Sequence, residues 1–497
     1  MGYLLGMDIG SGGCKATLLE IDKGAITQSA EYSTYYPHPG WAEQDSADWI
    51  DKLGRLVKEV MQQKGCLPEE IEAIGIGGVT HSPVLLERSG EVIGRVIHIT
   101  DRRSYRQAER LKEFHNIEDI ALNSVDSMWT MPMIAWVHDN QKYKLDKTDK
   151  ILFPKDYVRF RLTGSRVTDY IDAQGTLFFD PAKKQWNKDL VDLVNLDMKL
   201  LPEVASPAEI VGKVTKEGSS WSGLAEGTPV IAGSTDTALE VFAAGSINPG
   251  DCTVKMATFG RICVITDKPF WGKGFVNYSY VKPELWYPGT GTRSFATSLK
   301  WFRDEFCRDL KGGNIFIKMD SLASKTKPGA DGLIFHPYLQ GEGTPYDDPY
   351  LRGNFLGLSL HHKRPHLIRA VLEGTAMSLR DSLEFIKEEG INISKPIRLI
   401  GGGSKSKLWS KIVADVTGLD AVVPAATDAS FGAAMLAGVG IGVYSSVEDA
   451  QKRNYREEKQ IKCEKENTGL YDRLFSLYKY SQKLCEKLYH FKGFIDF

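Results

Sequence analysis

In Met7-Asp-Ile-Gly-Ser-Gly-Gly-Cys-Lys15 a carboxylate, a glycine-rich turn and a lysine stand together between the apolar runs Tyr3–Leu5 and Ala16–Leu19. Gly10, Gly12 and Gly13 lack a Cβ, so positive φ is open to them and their N–H groups are expected to turn toward an anion. Ser11, Gly12 and Gly13 then make a phosphate cradle. Asp8 would repel bound phosphates unless a divalent cation lay between them, and a magnesium nucleotide supplies one. A tight hairpin with a capping Asp would show the same residues, so the rest of the chain must decide.

The elements that position these groups occur twice. Asp251–Thr266 reads as strand, small-residue turn around Thr258 and Gly260, then strand. Ile71–Gly78 and Ile397–Gly403 are both short β-branched runs ending in glycines. Each half of the chain thus carries a hairpin and, further on, a strand with a glycine end, which predicts two similar α/β lobes across a cleft. Gly245-Ser-Ile-Asn-Pro-Gly250 punctuates them, giving an expected first lobe over 1–245 and a second over 246–497. Helices are predicted over 237–245, over Pro365–Ile386 and over about 464–490.

Taken together, Gly6–Lys15, Pro39-Gly-Trp-Ala-Glu-Gln-Asp45, Phe153-Pro-Lys-Asp-Tyr157, Gly233-Ser-Thr-Asp236, Pro337–Pro345, Arg369–Gly374 and Gly401–Trp409 resemble the FGGY family of carbohydrate kinases in the family's order. The resemblance runs from about residue 3 to about 445, and the segments around Trp41 and Lys155 are most similar to those of xylulokinases. It implies an α/β fold of two actin-like, ribonuclease H-like lobes. It also implies ATP with Mg²⁺ as cofactors and a small-molecule sugar as partner.

Carried over residue by residue, the resemblance makes Asp236 the base that accepts a sugar hydroxyl proton, with capping of the next helix as its alternative task. Asp8 becomes the metal ligand. Ser11, Gly12, Gly13 and Lys15 face phosphate from the first lobe and Thr258 from the second, while Gly402, Gly403 and Lys407 flank the adenosine. His81, Ser82, Asp101, Asp236 and Thr237 are the substrate-side residues, paired donors and acceptors being what a polyol requires. The chain departs from xylulokinases at Val79, Thr80, Ser82, Ile99 and Thr100, at Thr237, at Ala257 in place of Gly, and at Gly343 in place of Arg. Ketopentoses such as D-xylulose head the expected substrates, with another ketose, a polyol or a sugar acid as alternatives. A non-catalytic sugar sensor and an Hsp70-like ATPase are the remaining readings.

A net charge of -2 over 497 residues offers no footprint for nucleic acid or an anionic membrane. The seven cysteines are dispersed without a C-x-x-C pair, as expected of free thiols in a reducing cytoplasm. No apolar run reaches the roughly 20 residues a membrane span needs, and the first residues lead straight into a strand rather than a signal peptide. A homodimer is compatible with the chain, which does not itself fix an oligomeric state. Neither a Walker A nor a complete G-x-G-x-x-G pattern occurs.

Overall fold

Two sheets wound in the same way organise the chain, seen in a computed structural model that describes residues 2–114, 116–272 and 274–491. In the first, β1 (Tyr3–Ile9), β2 (Gly13–Glu20) and β3 (Gly24–Glu31) form an antiparallel meander, and β4 (Ile71–Gly78) lies parallel to β1. β5 (Ile210–Lys213), β6 (Pro229–Ile231) and β7 (Ser234–Thr235) complete it in the order β5-β6-β4-β1-β2-β3, with β7 beside the end of β4. In the second, β8 (Cys252–Met256), β9 (Gly260–Val264) and β10 (Gly289–Thr292) repeat the meander. β11 (Ile397–Ile400) lies parallel to β8, followed by β12 (Ala421–Pro424) and β13 (Glu457–Ile461). The repeated pattern anticipated from the two glycine hairpins is therefore a repeated sheet topology.

Every residue of β1 is buried, because helices cover both faces of its sheet. On one face α1 (Ser46–Lys64) and α2 (Pro154–Thr163) pack on Leu5, Met7 and Ile74. α1 starts at Asp45, which accepts the Ala47 N–H at 3.0 Å, and stops at left-handed Gly65. On the other face lie α3 (Asp236–Ala243) and α6 (Ala429–Gly440). α6 is rich in small residues and comes so close that a Cβ on Gly6 would lie 1.7 Å from the Ser430 carbonyl oxygen. The strand glycines that look like interruptions in sequence are thus seats for this helix.

The second sheet packs on α4 (Arg364–Glu388), α5 (Lys407–Thr417) and α7 (Lys465–Tyr489). The first sheet's core also takes in Tyr278, Tyr280 and Tyr287, so apolar burial links the two halves around the cleft. No helix among the described residues is long and apolar enough to cross a membrane.

Candidate active site

The β1–β2 turn is held from outside rather than by its own φ angles. Gly10 N–H donates to the Gly13 carbonyl at 2.9 Å, Gln44 Nε2 donates to the Ser11 carbonyl at 2.7 Å, and the Tyr32 hydroxyl donates to the Gly10 carbonyl. Contrary to the sequence-based expectation, neither Gly10, Gly12 nor Gly13 adopts a left-handed φ. Gly13 is required for another reason: a Cβ there would sit 2.6 Å from the Ala30 carbonyl oxygen. At Gly12 the space is open, with no atom within 4 Å of a Cβ position, so the backbone at this tip is accessible to a ligand.

Asp8, at the end of β1, is buried and its Oδ1 has no hydrogen-bond partner among the described residues. Burial, and then the charges of Asp236 and Glu240, push its carboxyl well above the usual carboxylate range. An orphaned buried carboxylate oxygen beside two further acids is a donor set that suits a hard divalent cation. Lys15 lies opposite Asp8 in the β1–β2 register but is committed elsewhere, in an ion pair with Asp428 at the N-cap of α6. The expected reach of Lys15 toward phosphate therefore competes with an existing partner.

Asp236 is the first residue of α3, and the cap is its neighbour Thr235, whose Oγ1 accepts the Ala238 N–H at 3.3 Å. The alternative task for Asp236, capping, thus belongs to Thr235. One Asp236 oxygen accepts from the Thr237 N–H at 2.5 Å and the Thr237 hydroxyl at 3.1 Å, which orients the carboxylate. One turn further on, Glu240 pairs with Lys255 of β8 at 2.6 Å. Burial works against the Lys255 charge, but Glu240 and Asp236 outweigh it and raise the ammonium to about 12. Glu240 and Lys255 are invisible to motif reading, although charged residues at a strand and helix position facing a core are a signal in themselves.

His81, in the left-handed region at φ 75°, stacks on Trp129 with ring centroids 4.3 Å apart. Its Nδ1–H donates to the Met128 carbonyl at 3.1 Å, which leaves Nε2 to accept from the Tyr278 hydroxyl at 2.7 Å. Burial, and then the Arg261 guanidinium, push its pKa down to about 3, so the ring is neutral in use. Beside it the Ser82 hydroxyl and the Trp129 indole N–H are buried without partners, as groups awaiting a polyol would be. Trp129, Asp126, Phe259, Arg293 and Thr344 line a cleft of about 1070 Å³ between the halves.

Asp101 is engaged within the protein. Both its oxygens are occupied, by the Ala42 N–H at 2.6 Å and by the Arg103 backbone and guanidinium at 2.8–2.9 Å. Arg103 in turn lies 3.7 Å over the Trp41 ring and pairs with Glu43 at 2.8 Å. Asp101 therefore ties Arg103 to the backbone at Ala42 and positions the segment around Trp41.

This geometry is matched by known proteins. Family models for the FGGY family of carbohydrate kinases match residues 3–243 with the N-terminal domain and 262–441 with the C-terminal domain. The chain belongs to the FGGY family of carbohydrate kinases. FGGY kinases use ATP, and this chain has their two-domain α/β architecture. It is 31% identical over 490 residues to xylulose kinase from Bacillus subtilis, covering 96% of each chain. It is also 27% identical to the gluconokinase of the same organism, over 91% of each. Among solved structures, xylulose kinase from Rhodospirillum rubrum superposes with a TM-score of 0.90 at 27% identity, covering 98% of this chain and 100% of that one.

The remaining FGGY motifs fall on the second lobe and beneath the first. Thr258 is exposed in the β8–β9 turn, its carbonyl accepting from the N–H groups of Phe295 and Thr297 at 3.2 and 3.3 Å. Gly402 and Lys407 are exposed, while at buried Gly403 a Cβ would meet the Met256 oxygen at 3.0 Å. Ser406 caps α5 by accepting the Trp409 N–H at 3.0 Å. Glu342 is structural, taking hydrogen bonds from Thr292, Arg293, Gly343 and Ser378 at 2.7–2.9 Å. At its neighbour Gly343 a Cβ would lie 2.8 Å from the Gly291 carbonyl oxygen and 3.9 Å from Arg293 Nε. Lys155, in the Phe153–Tyr157 segment, lies fully buried among Asp156, Asp169 and Asp172.

Proposed function

We propose that this kinase transfers the γ-phosphoryl group of Mg-ATP to a hydroxyl of a ketopentose such as D-xylulose, with Asp236 as general base. The observation that carries this reading is the position of Asp236 on the first turn of α3, oriented by Thr237 and electrostatically coupled to the orphaned carboxylate of Asp8. In the step proposed, the hydroxyl oxygen bonds to the γ-phosphorus, the bond from that phosphorus to the bridging oxygen breaks, Asp236 takes the proton and ADP leaves. Asp8 holds Mg²⁺ in this scheme, and the ion when bound offsets phosphate charge. Gly12 and Thr258 present backbone and hydroxyl to the phosphates from opposite lobes. His81, neutral and held by Met128 and Tyr278, shapes the acceptor pocket together with Ser82. Lys407, Gly402 and Gly403 are placed on the adenosine side. The free cysteines agree with work in the cytoplasm.

A sugar acid is the second reading, favoured by the similarity to a gluconokinase over nine-tenths of the chain. ADP release across a panel of ketopentoses, ketohexoses, polyols and aldonates separates them. A ketopentose is expected to give the highest kcat/KM. A best aldonate would move the assignment to the second reading, and no acceptor-dependent ADP release at all would sink the kinase activity. For whichever acceptor works best, Asp236→Asn should lower kcat by about 10²–10⁴-fold, the usual contribution of a general base.

A further inference from the structure

Among the described residues, Arg261 has no acidic partner. Arg261, on β9, lies opposite Lys255 of β8 and Gly291 of β10 in the sheet register, so its side chain shares a face with Lys255, Cys263 and Gly289. That face looks at α3 from two sides. Lys255 reaches Glu240 at 2.6 Å, and the Tyr287 hydroxyl lies 3.0 Å from Thr235 Oγ1, the residue before Asp236. Arg261 therefore stands between contacts to the two ends of the helical turn that carries the proposed base. Gly289 makes its seat, since a Cβ there would come within 3.1–3.2 Å of the guanidinium nitrogens.

The neighbours of this guanidinium are the Cys263 thiol and the Tyr278 and Tyr287 rings, and among the described residues no carboxylate lies within ion-pair distance of it. Tyr278 is also the residue that holds His81. Arg261 is half-buried, a partly desolvated charge without an acidic partner is unfavourable, and arginine's planar fork is the side chain best matched to carboxylate and phosphoryl oxygens. Sites that keep such a charge unpaired in the absence of ligand exchange stability for binding.

On the kinase reading of this cleft, we infer that Arg261 binds an oxyanion of the reacting pair, either a carboxylate on the acceptor or the phosphoryl group in transfer. Arg261 thereby becomes the residue that sets the charge of the substrates the cleft accepts. The measurement begins without turnover, so that it stands even if the kinase assignment fails. Thermal melts and calorimetric titrations are run with D-gluconate, inorganic phosphate and the neutral polyol ribitol on the full chain and on Arg261→Met and Arg261→Lys.

Without ligand, Arg261→Met should melt at or above the wild-type temperature, because a half-buried charge without an acidic partner has been replaced by a similar apolar volume. At least one of the two anions should stabilise the wild type, and bind at least about tenfold less well to Arg261→Met, with Arg261→Lys in between. Ribitol should not discriminate among the three proteins. If kcat/KM then falls only for aldonates, the acceptor carries the oxyanion. If it falls alike for every acceptor and for acceptor-free ATP hydrolysis, the transferred group does. Equal anion binding by wild type and Arg261→Met, or no anion binding by the wild type, would overturn the assignment. So would an Arg261→Met protein that melts well below the others while Arg261→Lys binds anions no better than it does.

Discussion

The two hairpins that face the cleft share a topology and differ in charge. In β1–β2 the cross-strand pair nearest the turn tip that carries charge is Asp8 with Lys15; in β8–β9 it is Lys255 with Arg261. In the first, the lysine is drawn away to Asp428, which leaves an orphaned carboxylate. In the second, Lys255 is drawn to Glu240, which leaves Arg261 without an acidic partner among the described residues. The repeated sheet thus supplies the same geometry twice, and substitution at one register position makes one copy receptive to a cation and the other to an anion. Phosphoryl transfer from a metal-bound nucleotide to a hydroxyl benefits from both, a cation on the phosphates and a donor to the negative charge that develops on the transferring group.

Removing the orphaned charge of the first hairpin should break this asymmetry most severely. Asp8→Asn keeps the shape but takes away the cation-binding charge, and turnover should fall by roughly 10²-fold or more, corresponding to about 3 kcal/mol for losing a buried charged partner. Turnover as a function of free Mg²⁺ checks it, and nucleotide binding measured without metal should change little. A variant with unaltered magnesium dependence would place the cation elsewhere.

The lobes also differ in what lies behind their hairpins, and pH sharpens that difference. Beneath the first, Asp172 is fully buried against Lys155 at 3.3 Å, and burial outweighs Lys155 to raise its pKa to about 7. The unfolded value is near 3.9, so the folded state holds an extra proton between these limits, and this contribution to stability is lost as pH rises from about 4 to about 7. Asp172→Asn should flatten that slope, by about 4 kcal/mol across the window. Denaturant melts at pH 5 and pH 8 decide it, and an unchanged slope would assign the proton to another member of the cluster.

The smallest effect is expected at Lys15. Its ion pair with Asp428 is about two-fifths exposed on both sides, so Lys15→Met should cost at most about 1 kcal/mol of stability. Should KM for ATP rise more than about tenfold, Lys15 would leave Asp428 for the phosphates during the reaction, and the two hairpins would be more alike than they look.

Much of this protein was legible before folding. The glycine strand ends, the repeated hairpins and the long amphipathic helices follow from local chemistry: backbone conformation, side-chain periodicity and the breaking power of Pro and Gly act over a few residues. Hence α4 and α7 fall where periodicity put them, and Asp236 stands at the start of a helix. Reasons were less legible than positions. Gly6 and Gly13 are glycines because other backbone lies against them, not because their own φ demands it. That Arg103 and Ala42 hydrogen-bond the Asp101 oxygens was not legible in the sequence either.

The sequence by itself therefore determined the family, the doubled α/β plan and the residues around the proposed reaction centre, because each is written in short segments. Only the tertiary structure decided which charges are left over. Lys15 meets Asp428 across 413 residues of chain and Lys255 meets Glu240 across the joint between the lobes, and whether Asp8 and Arg261 keep a free face depends on those meetings. Desolvation then makes an unpaired charge expensive enough to matter, and that cost exists only once the cleft has closed water out.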